Sequence, residues 1–172
     1  LKDNESVRTA FAHAREHSRT VLVESYIAGL DHRLCVVNGE LVAASKRVPG
    51  HVVGDGKHTV EQLLDKVNED PRRGIGHEKV LTKLEFDHQA LRLLEDAGYT
   101  TESVPPKGEV VYLRSTGNLS TGGTAVDVTD IIHPDNREMA IRAAKAIGLD
   151  VAGVDFLTTD ISESFNTTGG AI

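Results

Sequence analysis

The chain has 172 residues, 39% of them hydrophobic and 26% charged, a length and mix suited to one domain-sized core. Its 19 basic and 26 acidic residues leave a net charge of −7, which argues against general affinity for nucleic acid or an anionic membrane, so an anion has to be gripped locally. The lone cysteine, Cys35, cannot close an internal disulfide and no apolar run nears the roughly 18 residues of a membrane span; with no signal peptide visible, these features point to a cytoplasmic protein.

Asp3-Asn4 offers a cap for a helix that carries Val7, Ala10, Phe11 and Ala14 on one face and ends near His17-Ser18. "TVLVESYI", residues 20–27, reads as a strand. "RLCVVNGELVAASKRV" alternates on both sides of Asn38-Gly39, the pair that most favours a two-residue hairpin turn. Residues 49–58 are rich in turn formers, and Thr59 with Gln62 forms a capping-box start for a helix through about Asn68. "EDPRRGIGHEK" cannot continue it. Asp87 caps a further helix with Ala90, Leu91 and Leu94 as its apolar stripe and Gly98 as its stop. "GEVVYLR" is a strand, Pro134 to Ile147 a helix closed by Gly148, and "DVAGVDFLT" a last strand. Strands interleaved with helices around a hairpin predict an α+β layer structure, with residues 49–107 as a long, partly helical excursion.

Two acidic patterns bear on chemistry. In the last strand, alternation sends Ala152, Val154 and Phe156 to one face and Val151, Gly153, Asp155 and Leu157 to the other. Asp155 is then either an exposed acid or a carboxylate placed for Mg²⁺, a hard cation that takes oxygen ligands, with Gly153 leaving room for a bulky ligand. Glu24 and Asp31 flank Tyr26-Ile27, and by themselves both could simply face water.

Taken in order, "VESYIAGLDHRLCVVNG", "KRVPGHVVGDGKHTVEQLL", "VNEDPRRGIGHEKVLTKLEFD", "GEVVYLRSTGNLSTGGTAVDVTD" and "IGLDVAGVDFLTTDI" resemble the ATP-grasp domain of the cyanophycin synthetases, from about Val21 onward. Related segments occur in bifunctional bacterial glutathione-synthesis ligases. The resemblance implies an α+β, ATP-grasp-like fold, mainly the C-terminal lobe: an antiparallel sheet flanked by helices. It implies that Glu24, Ser25, Tyr26 and Ile27 form an adenine hinge, that Asp31 takes the ribose hydroxyls and that Asp155 is the first magnesium carboxylate. The family's glycine-rich loop and the strand with the remaining metal ligands are expected outside residues 1–172, so little catalysis is expected from this stretch alone.

The same resemblance gives "LRSTGNLSTGG" a task. ATP-grasp ligases phosphorylate a carboxylate with ATP and let an amine attack the acyl phosphate, which calls for positive charge and aligned donors. Arg114 is expected to offer a planar fork, Asn118 a neutral donor, and Ser120, Thr121, Gly122 and Gly123 hydroxyls and backbone N–H groups to the substrates. Arg33, Lys46 and Arg47 on the hairpin can reach the phosphates or stay solvated. Arg72, Arg73, His77, Lys79 and Lys83 make the excursion basic, read first as a solvated loop and second as a lure for an acidic amino acid or polymer. No zinc site is expected, and Cys35 is read as a small buried apolar residue.

The implied parent activity joins aspartate to the C-terminal carboxylate of a poly-aspartate backbone. The rivals are a glutathione-type ligase and a non-catalytic nucleotide-binding remnant. Exposed sheet edges would admit a homo-oligomer.

Overall fold

The computed structural model describes residues 3–76 and 78–172. After helix α1 (Asn4–His17) and a connector without regular structure, β1 (Leu30–Val37) and β2 (Glu40–Val48) form the predicted hairpin. Asn38 and Gly39 take positive φ of 50° and 81°, the pair of left-handed residues that a tight turn matching the strands' twist requires. β1 is paired on both edges, with β2 and with β8 (Val151–Thr158), and β7 (Thr124–Asp127) extends the sheet to the order β7-β2-β1-β8, antiparallel throughout.

α4 (Pro134–Ile147) covers one face of this sheet. Proline at its first turn and Gly148, at φ 73°, bound it as the sequence predicts. Leu34, Val36, Ala44 and Phe156 from the strands pack with Ala140 and Ala144 of the helix into one apolar cluster.

The stretch of chain between β2 and β7 builds a second cluster. β3 (His51–Val53) pairs with β6 (Val110–Tyr112), and α2 (Val60–Asn68) and α3 (His88–Asp96) close over them, burying Val52, Leu63, Leu64, Leu94, Val111 and Leu113. Thr59 and Gln62 form the predicted capping box, and the Asp87 carboxylate accepts from the Ala90 N–H. A two-residue parallel ladder, β4 (Arg73–Gly74) with β5 (Leu81–Thr82), ties the loop after α2 in place, and a short α5 (Phe165–Thr168) follows β8. Leu91, read as part of the apolar stripe of α3, is 48% exposed.

Residues 20–27 are not a strand. A strand needs a partner for its N–H and C=O groups, and on this side of the sheet the ladder of β1 with β8 begins only at Leu30, opposite Thr158. Gly29, whose added Cβ would meet the Thr158 backbone at 2.7 Å, brings the chain against the sheet there. Before it, Leu22, Val23 and Tyr26 are 79–90% exposed. α1 forms where predicted, but its stripe remains open, with Val7 and Phe11 nearly half exposed.

Candidate active site on the uncovered sheet face

Opposite α4, the sheet presents side chains that the two-residue period sends outward. Asp31, Arg33 and Cys35 of β1 alternate with the buried His32, Leu34 and Val36. Gly153 and Asp155 stand across from Cys35 and Arg33 on β8, and Arg47 rises from β2. Four of the residues singled out in the sequence therefore meet.

The Arg47 Nη2 donates to Asp31 Oδ1 at 2.6 Å and to Asp155 Oδ1 at 2.9 Å. Arg33 Nε lies 3.1 Å from the same Asp155 oxygen, and its Nη1 donates to the Gly153 carbonyl at 2.9 Å. Arg33 lies so flat on the strand that a Cβ on Gly153 would come within 2.6 Å of Nη1. Two cations and two carboxylates leave the cluster neutral. Burial pulls the Arg47 pKa down, but the hydrogen bond and charge of Asp31, and then those of Asp155, outweigh it and raise it above the ordinary value. Arg47 Nε is buried with no hydrogen-bond partner, the one such side-chain atom among the described residues. Asp155 Oδ2 carries no bond among the described residues, and the side chain is 59% exposed. A free hard oxygen of this kind fits Mg²⁺, which binds through one or two carboxylates together with phosphate oxygens.

The 113–123 loop abuts this cluster, with Gly117 so close to Arg47 that an added Cβ would sit 2.7 Å from the arginine's own. Asn118 caps a single 3-10 turn, Leu119–Thr121, and Gly122 closes it at φ 97°, where a side chain would be strained. The backbone donors of residues 120–123 are spent inward: Thr121 and Gly123 N–H donate to the Asn118 carbonyl, Gly122 N–H to Leu119, and Ser120 N–H to Asn118 Oδ1. Residues 120–123 therefore do not offer the expected cradle of N–H groups, because a turn this tight satisfies them itself. The Thr121 hydroxyl donates to the Asn118 carbonyl, whereas the Ser120 hydroxyl and the Asn118 amide nitrogen, at the exposed rim, have no partner among the described residues.

Arg114 differs from its expectation as a surface fork. It is 6% exposed, and its guanidinium donates to the carbonyls of Thr121, Leu113 and Glu85 and to Asp87 Oδ1. It clamps the loop onto the excursion. Arg73, read as part of a solvated loop, is also buried; its Nη1 donates to the carbonyls of Thr82 at 2.6 Å and Gly122 at 3.0 Å. Each arginine also reaches a carbonyl distant in sequence, Glu85 for Arg114 and Gly122 for Arg73, which no local signal announces.

Of the remaining candidates, Glu24, Ser25, Tyr26 and Ile27 lie in the connector rather than on a strand. Lys46 pairs with His32 in the ladder and so belongs to the other face from Arg47. Cys35 is half-buried on the charged face, not in the core. Arg72 and Lys79 are exposed, bound to Asp70 and to the Pro71 carbonyl, Lys83 is exposed, and His77 lies outside the described residues. The sequence reading also passed over His13, Glu16 and His17, whose helical spacing brings their ligand atoms within 4.8 Å of one another on α1, all three exposed. No described helix is long and apolar enough to cross a membrane.

Residues 112–166 match the RimK-like ATP-grasp domain. The chain resembles the crystal structure of a bifunctional glutathione synthetase from Pasteurella multocida with a TM-score of 0.74 and 34% identity, over 95% of this chain and 22% of that one. It thus has the α+β fold of the ATP-grasp class. Within that class it is 55% identical, over all 172 residues, to the cyanophycin synthetase of Nostoc sp.. It is 38% identical over 156 residues, 91% of the chain and 20% of the relative, to the glutathione biosynthesis bifunctional protein of Enterococcus faecalis. The chain spans 19% of the length of the Nostoc relative.

Proposed function

We propose that this chain supplies the phosphate- and metal-facing surface of an ATP-dependent carboxylate–amine ligase of the cyanophycin synthetase type. The observation that carries the reading is the convergence of Asp31, Arg33, Arg47 and Asp155 on the uncovered sheet face. Arg33 and Arg47 are planar donors suited to phosphate oxygens. Their present acceptors are carboxylates that a nucleotide and a cation could take over, Asp31 turning to the ribose hydroxyls and Asp155 to magnesium. Magnesium, when bound, neutralises charge on the phosphoryl group being transferred. Glu24 to Ile27, on the connector leading into Asp31, are assigned to adenine; Tyr26, 90% exposed, has its ring free for that contact.

In the proposed reaction a substrate carboxylate oxygen takes the γ-phosphoryl group and ADP leaves. The amine nitrogen then attacks the acyl carbon, phosphate departs and the amine loses a proton. Asn118 and Ser120 present the unengaged donors of the loop toward these substrates, with Thr121, Gly122 and Gly123 shaping the turn. Arg114 acts by holding that turn still, since four of its five N–H donors go to protein acceptors. The acid partner is an aspartate-terminated peptide and the amine partner aspartate, a reading supported by 55% identity to a cyanophycin synthetase against 38% to the glutathione enzyme.

The test is ADP release by the whole protein, comparing an aspartate-terminated peptide with aspartate against γ-glutamylcysteine with glycine. Turnover with the first pair supports the assignment. Turnover with the second moves it to the glutathione type, and turnover with neither overturns both. Asp155→Asn should lower turnover on the order of a hundredfold while changing nucleotide affinity far less, because charge on the phosphoryl group grows in the transition state. Normal turnover with normal magnesium dependence would remove Asp155 from the site.

A further inference from the structure

A cavity of about 460 Å³ opens between β3, α2 and the 113–123 loop. His51, Leu63, Lys66, Val67, Arg73 and Gly122 contribute to its wall, and no aspartate or glutamate lines it. We propose that this cavity binds a small carboxylate with a short aliphatic stem, held by the Arg73 guanidinium. The proposal goes beyond the ligase reading and does not depend on it.

The reason lies in the charge of Arg73. Its side chain is on a residue only 5% exposed, yet no ion pair joins it to a carboxylate among the described residues. The nearby Asp70 is engaged by Arg72, which approaches it through both Nε and Nη2. The other buried guanidinium, Arg114, has Asp87 at 3.2 Å. A buried charge is ordinarily kept by a counter-charge, and Arg73 has two carbonyls in place of one. Both bonds come from Nη1, so Nε and Nη2 retain the donors that a carboxylate can take in pairs. Burial pulls the Arg73 pKa below its ordinary value, with Asp70 opposing the shift. An arriving anion would act in the same sense as Asp70.

The rest of the wall selects the class. Lys66 contributes its stem, because its ammonium is held by His58 and faces Asp55 at 3.7 Å. Leu63 and Val67 offer aliphatic surface, which suits a hydrocarbon stem better than a hydrated phosphate. Since the Arg73 Nη1 also holds the Gly122 carbonyl, a ligand here draws on the residue that anchors the loop beside the sheet site.

The test is calorimetric titration of the full chain, without ATP, using succinate and glutarate, with succinamide as the neutral analogue and inorganic phosphate as the second anion. The dicarboxylates should bind, succinamide should not, and phosphate should bind at least about tenfold more weakly. Arg73→Gln should weaken succinate at least about tenfold. Val67→Trp, which fills the cavity and leaves the guanidinium in place, should do the same and keeps the test decisive if the arginine variant fails to fold. Equal binding of succinate and succinamide, phosphate binding as tight as succinate, or wild-type affinity in folded Val67→Trp would overturn the proposal.

Discussion

Removing the Arg114 guanidinium would strand three carbonyls at once, those of Thr121, Leu113 and Glu85, and leave Asp87 Oδ1 with only the Ala90 N–H. Arg114→Ala should therefore destabilise the chain by about 3 kcal/mol, read as a lower urea midpoint, and lysine should restore little because a point charge cannot serve acceptors on several sides. An unchanged midpoint would mean that the clamp contributes nothing, and any loss of turnover in the alanine variant has to be read beside its stability. His32 sets a different expectation. Desolvation lowers its pKa, against opposing hydrogen bonds from the Leu30 and Phe156 backbone. The unfolded chain therefore takes up a proton near pH 6.5 while the folded chain stays neutral to lower pH, so the stabilising contribution is complete above about 6.5 and is lost as pH falls toward the folded value. Urea midpoints at pH 7.5 and 5 should fall on acidification, with a shallower fall in His32→Asn; an equal fall in both would clear this histidine.

At the scale of elements, α2 depends on an N-terminus that the sequence already spells out. Thr59→Ala removes the acceptor for the Gln62 N–H and should cost about 1 kcal/mol in equilibrium unfolding, whereas Thr59→Ser should cost a few tenths at most. Equal losses in the two variants would point to the threonine methyl group instead. Legibility follows the same division. Asn38-Gly39, Thr59, Asp87, Pro134 and Gly148 act within a few residues of their own backbone, and the turns and helix ends they predict are present. Residues 20–27 have the composition of a strand, but pairing is decided by which partner edge lies within reach. Asp155 was readable as an outward acid from alternation alone. That its partners would be Arg33 and Arg47 required the register of three strands, and the burial of Arg73 and Arg114 required the excursion to fold back onto the loop.

Across the molecule the described residues form two apolar clusters, one under the four-stranded sheet and one inside the excursion, with Arg73 and Arg114 between the excursion and the loop that leads back to the sheet. The connector 18–29 belongs to neither. Limited proteolysis should cut first there, trypsin at Arg19 and chymotrypsin at Leu22 or Tyr26, and should leave residues 30–172 intact longer. First cleavage within α2 or α4 would contradict this order of stability. The net charge of −7 is not concentrated at the sheet face, where opposed charges cancel. Electrostatic recruitment of a polyanion therefore has to rely on charges uncovered when those pairs separate.

Cys35 stands across the ladder from Gly153, on the face that carries Asp31, Arg33 and Asp155, and it is the chain's one cysteine. The protein thus comes with a built-in attachment point: a thiol-directed dye or spin label would sit on the floor of the charged face with every other residue left native. Access to that sulfur, followed by reagent colour or by protection from alkylation, reports occupancy of the face in a sample with no turnover at all, which separates the question of what binds there from the question of what reacts.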